Sequence, residues 1–145
     1  MSIRTLASGA SAWRGYEYYT EKKVLSFTQT GEDEYTGQVT GSSPIPYQVK
    51  INTAHVRRSK CNCPHADGRR VICKHMVALF FAAFPDEAEQ YMEEVEEYER
   101  EEEQRMEEHY AALRSYVKSL SKKELQEKLF EALAELEERG PRFYR

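Results

Sequence analysis

The chain has 145 residues, 40% of them hydrophobic and 12% aromatic, which suffices for one modest core and an extension. With 32% charged residues, a net charge of −4 and a mean hydropathy of −0.79, part of it must be solvated helix or tail. No apolar run approaches the ~20 residues that span a bilayer, and the opening MSIRTLASGASAWRGYEYY lacks the apolar core of a secretory signal. No membrane contact is expected, and a cytoplasmic location is, where thiols stay reduced.

In chain order, residues 8–20 (SGASAWRGYEYYT) predict a short helix with Trp13, Tyr16 and Tyr18 or Tyr19 on one aromatic face. Val24–Thr30 and Tyr35–Thr40 are β-rich runs around the turn GEDE, and the prolines of GSSPIP keep that stretch out of any central strand. Tyr47–Thr53 alternates cleanly, with Tyr47, Val49 and Ile51 on one face and Gln48, Lys50 and Asn52 on the other. Ala54–Cys61 is expected to be a fourth short strand, and strands this close in sequence predict antiparallel pairing. The pattern then changes. Lys74–Phe84 predicts a largely buried helix, packed on the sheet through Val77, Phe80, Phe81 and Phe84.

From Asp86 to about residue 118 the chain predicts a long helix of about 50 Å, whose apolar seam lapses over EREEEQR. Ser121 to Glu124 reads as a capping box, Leu125, Leu129, Leu133 and Leu136 form a stripe, and Gly140-Pro141 is a stop signal. The two striped segments are expected to fold back as a helical hairpin. They need a cover, for which a second copy of the chain is the preferred candidate.

Charge marks the boundaries. Residues 1–85 carry 11 Lys/Arg against 6 Asp/Glu, residues 86–109 carry 2 against 13, and residues 110–145 carry 8 against 6. The expected organisation is an α+β domain over 1–85, an acidic extended helix over 86–120, an amphipathic helix over 121–140 and a tail over 141–145.

All three cysteines fall within CNCPHADGRRVICKH, residues 61–75. A disulfide is disfavoured by the odd count and by the strained ring that Cys61 and Cys63 would close. A reactive thiol is disfavoured because no order of partners suggests a triad. A metal fits. Cys61 and Cys63 are two apart on an extended backbone and lean to one side, Cys73 and His75 open a helix, and Pro64 and Gly68 let the chain turn back between the pairs. Three sulfurs and one imidazole fill a zinc tetrahedron, and a filled set is structural. His65 and His55 are nearby imidazoles that could stand in for His75.

The pattern C-x-C followed by C-x-H, as CNCP and CKHMVA, resembles the SWIM zinc finger. WRGYEYY, VTGSSPIPYQVKI and YVKSLSKKELQEKLFEAL are similar to segments of its short bacterial members. The resemblance implies one structural Zn2+ on Cys61, Cys63, Cys73 and His75, in a small antiparallel sheet with a ββα-like finger. It also implies binding to DNA or to protein. Arg57, Arg58, Lys60, Arg69, Arg70 and Lys74 crowd the ligands and would suit phosphates. The alternative is an adaptor in which zinc only staples the fold and helices 86–140 meet a protein partner. No P-loop, H-E-x-x-H, G-x-S-x-G or deaminase signature is present, so no catalysis is expected.

Overall fold

The computed structural model describes residues 2–140, and the expected tail at 141–145 lies outside them. The described residues divide into two compact units, one ending at Glu94 and one beginning at Val95.

The first unit opens with α1 (Ile3–Leu6), a single turn that sequence patterning does not reveal. Ser2 and Thr5 cap it reciprocally, and Ile3 is fully buried. Ser8 caps α2 (Gly9–Thr20), its Oγ accepting from the Ser11 N–H at 3.1 Å. The helix stops at a left-handed Lys22 (φ 57°), where the N–H groups of Lys22 and Lys23 donate to the carbonyls of Tyr19 and Tyr18 at 3.1 and 3.0 Å. That is a Schellman ending with lysine where glycine is usual.

Strands β1 (Val24–Gly31), β2 (Glu34–Val39), β3 (Tyr47–Asn52) and β4 (Lys60–Cys61) form one antiparallel sheet in sequence order. The alternation expected of β3 holds from Tyr47 to Ile51, with Tyr47, Val49 and Ile51 buried and Gln48 and Lys50 facing out. Asn52, expected on the outer face, is instead buried, its backbone N–H donating to Ser59 Oγ and its Oδ1 accepting from His55. The expected strand over Ala54–Cys61 is mostly something else. Residues Val56–Arg58 form a 3-10 turn, and only Lys60 and Cys61 pair with β3. Local hydrogen bonds outcompete the ladder there. Asn52 Oδ1 accepts from the His55 N–H at 2.5 Å, and Ser59 Oγ accepts from the Asn52 N–H at 3.0 Å. The curl also buries Val56.

Helix α3 (Lys74–Ala83) lies between this sheet and α2, with every side chain from His75 to Phe81 buried. The expected contacts are split between the two sides. Phe84, just past the helix, meets Tyr35 of β2 edge-on at 5.2 Å, and Leu79 approaches Gly37 of β2. Val77 and Phe81 instead face α2: Val77 packs on Gly15, and Phe81 touches the rings of Tyr16 and Tyr19 at 6.0 and 6.1 Å. The aromatic face of α2 is thus core at Tyr16 and Tyr19, whereas Trp13 is 40% exposed. Helix α4 (Pro85–Ser119) begins with its proline in the first turn, where no amide is needed. Its start belongs to the first unit. Ala88 is buried, Tyr91 stacks near Phe81 at 5.5 Å, and Arg4 bridges Glu87 and Glu94 at 3.2 and 2.7 Å.

The second unit holds the rest of α4 and α5 (Lys122–Arg139). The capping box forms as expected, the Ser121 N–H donating to Glu124 Oε2 at 2.7 Å and the Glu124 N–H to Ser121 Oγ at 3.3 Å. Within this chain no side chain of α5 is buried among the described residues, and Leu125, Leu129 and Leu136 are 37%, 60% and 47% exposed. No helix among the described residues is long and apolar enough to cross a membrane.

Candidate metal centre

Extended backbone, a tight turn and a helix start bring the four donors together. Cys61 ends β4 opposite Val49, and Cys63 follows two residues later on the same side. The chain then turns: the N–H groups of Ala66 and Asp67 donate to the Cys63 carbonyl at 3.0 and 2.9 Å, and Gly68 takes a left-handed φ of 69°. Cys73 is the N-cap of α3, and His75 lies in its first turn.

The donor atoms of Cys61, Cys63, Cys73 and His75 all lie within 4.8 Å of one another, and all four residues are buried. His75 Nδ1 is 3.8 Å from both Cys61 Sγ and Cys73 Sγ. A tetrahedral zinc with sulfur at 2.3 Å and nitrogen near 2.0 Å requires edges of about 3.6–3.8 Å. The geometry therefore fits one zinc ion and leaves no position open for substrate.

Charge makes the same demand. With protein groups alone, the thiols compete for protons. A hydrogen bond from Cys61 holds Cys73 down at about 4, aided by His75 and the Met76 amide, while that bond and burial push Cys61 up. Burial also pushes Cys63 up, against the pull of the Ala66 and His65 amides. A divalent cation would hold all three as thiolates and satisfy the whole set at once.

Aromatic packing fixes the imidazole. The rings of Tyr47 and Tyr18 lie 4.7 and 5.5 Å from it, and Nε2 is buried with no hydrogen-bond partner among the described residues. A Cβ on Gly41 would come within 2.5 Å of the Tyr47 ring and 3.0 Å of that nitrogen. Histidine ligands commonly donate their second N–H to an oxygen; here packing sets the orientation instead. Neither Tyr18 nor Gly41 carries a sequence signal for this role.

Of the other expected site residues, His65 and Lys74 line a cleft beside the donors, whereas His55, Arg57 and Arg58 line a separate one. His65 and His55 are exposed and outside the donor cluster, so His75 holds the fourth position. Arg57, Arg58, Lys60, Arg69 and Arg70 are exposed, the first two on the 3-10 turn rather than on a strand. Lys60 pairs across from Lys50, which is itself bridged to Glu34 at 2.8 Å. Lys74 is half-buried, its Nζ 4.5 Å above the Tyr18 ring. Arg14, which the sequence does not single out, joins Lys74 and His65 around a cleft above the donors.

Residues 47–84, spanning β3, the cysteine cluster and α3, match the family model described as SWIM zinc finger. No curated protein and no solved structure gives a significant match to the chain. Residues 47–84 thus match a SWIM zinc finger, and within them Cys61, Cys63, Cys73 and His75 are suited to one structural zinc ion.

Proposed function

We propose that this chain is a non-enzymatic, cytoplasmic zinc-binding module that contacts nucleic acid through the cations around its finger. One observation carries the reading. Arg57, Arg58, Lys60, Arg69 and Arg70 are all exposed, and none forms a salt bridge or side-chain hydrogen bond among the described residues. A cation that only balanced the protein's own acids would be paired with them. Lys74 adds a sixth charge, fixed beside the zinc donors. Phosphate contacts of this kind bind through counterion release and are steeply salt-dependent.

The zinc is structural in this reading: four buried donors close the tetrahedron, and three thiolates favour a reducing compartment. A short labelled DNA or RNA titrated with zinc-loaded full-length protein tests it by anisotropy. Five contacts predict a loss of about two to three orders of magnitude in affinity between roughly 50 and 200 mM salt. Undetectable binding at low salt would defeat the proposal.

A second reading is favoured by a different feature. The second unit leaves Tyr98, Met106, Tyr110, Leu129 and Phe130 between 46% and 74% exposed. Such a surface suits a protein partner or a second copy of the chain. Salt-insensitive association without nucleic-acid binding would support the adaptor.

A further inference from the structure

We propose that the cleft between the first turns of α2 and the finger seats a phosphate group of a bound nucleic-acid strand, with Arg14 as its main charged contact. This rests on the nucleic-acid reading above and adds a contact outside the finger. The cleft encloses about 360 Å³, within the range of small-ligand sites and ample for a phosphate with its sugar. Its lining includes the N-cap Ser8 and Ser11 and Arg14 of α2, together with His65, Lys74 and the zinc donors Cys63, Cys73 and His75. Among the described residues no carboxylate lines it.

Five lining side chains, those of Ser8, Ser11, Arg14, His65 and Lys74, can donate. The Arg14 guanidinium is exposed and forms no ion pair or hydrogen bond among the described residues. Its planar fork suits a phosphate's paired oxygens. Lys74 lines the cleft, and its Nζ lies 4.5 Å from the Tyr18 ring, which Lys23 shares at 4.2 Å. Ser8 Oγ accepts from the Ser11 N–H at 3.1 Å, which leaves its own O–H free to donate, and the Ser11 hydroxyl has no partner among the described residues. A neutral His65 ring also carries an N–H.

The backbone points the same way. The first intrahelical bond of α2 runs from the Ala12 N–H to the Ser8 carbonyl at 2.8 Å, so the amides of Gly9 and Ala10 lie before it. With the helix dipole, they favour an anion at this end. A zinc centre with three thiolates carries −1, which Arg14 and Lys74 together exceed. The cleft is therefore a cationic, donor-rich seat beside a fixed centre.

The test uses zinc-loaded full-length protein and a short labelled single-stranded DNA. Arg14 is exposed and unpartnered, so Arg14→Ala should melt like the wild type. It is expected to weaken DNA binding about five- to tenfold and lower the slope of log affinity against log salt by about one. Arg14→Lys should recover part of that loss. The amide signals of Gly9, Ala10 and Ser11 should shift when the DNA is added. Wild-type affinity in Arg14→Ala, with binding lost in Arg69→Ala/Arg70→Ala, would overturn the cleft and leave the finger reading intact. No DNA binding by the wild type at low salt would remove both. Amide shifts with inorganic phosphate but none with DNA would mark a free-anion site and overturn the strand contact.

Discussion

Gly15 of α2 lies so close to Val77 of α3 that a Cβ at position 15 would come within 2.5 Å of the valine's Cβ and Cγ1 and 3.0 Å of the Lys74 carbonyl. Glycine here sets how closely α2 approaches the helix that carries His75. Gly15→Ala should push the helices apart and cost about 1–3 kcal/mol. Thermal melts of the zinc-loaded chain measure it. Val77→Ala in the same molecule should recover part of the loss, giving a coupling of about 0.5 kcal/mol or more. An alanine variant as stable as the wild type would contradict the close approach.

The opposite sign is expected at the end of α2. Lys22 adopts a left-handed φ of 57°, a region that disfavours side chains with a Cβ. Lys22→Gly should stabilise the first unit by about 0.5–1 kcal/mol, since glycine relieves the strain and keeps both Schellman hydrogen bonds. The same melts decide it, and a lower midpoint would show that the lysine side chain contributes more than its backbone costs.

Much of this arrangement is legible in the chain, for identifiable reasons. The alternation of Tyr47, Val49 and Ile51 against Gln48 and Lys50 reports a half-buried strand directly, and the pairing of C-x-C with C-x-H reports the metal donors. What stays hidden depends on contacts between distant residues. Nothing near Gly15 announces Val77, and nothing near Arg14 announces Lys74. The 3-10 turn at Val56–Arg58 is missed because single hydrogen bonds accepted by the Asn52 and Ser59 side chains outweigh the β-propensity of the segment. Helix α1 is too short to show a period, and the Ser2–Thr5 cap lacks the glutamate of the usual signature. The leucine stripe of α5 reads correctly as an apolar face, but an apolar face does not say what covers it.

The N-terminal turn should confer a pH dependence. Arg4 donates two hydrogen bonds to Glu94, at 2.7 and 2.9 Å, and also meets Glu87. The hydrogen bond from Arg4 holds the Glu94 carboxyl below its ordinary value of 4.5. A depressed folded-state value means that the stabilisation is complete above that ordinary value and is lost as pH falls through the depressed one. Arg4→Ala should therefore cost about 1 kcal/mol near neutral pH, the modest value reflecting a partly solvated pair. The gap to the wild type should close in acid. A gap unchanged on acidification would show that Arg4 acts through packing alone.

The most direct test of the account is the zinc content of purified full-length protein, measured by elemental analysis or native mass spectrometry. One zinc per chain is expected. Cys73→Ser should lose the metal and much of the order of residues 61–84, because structural zinc binding is also folding free energy. His65→Ala and His55→Ala should keep it. A metal-free wild-type protein, or a Cys73→Ser variant with undiminished zinc and thermal stability, would contradict the assignment of Cys61, Cys63, Cys73 and His75 as the donor set.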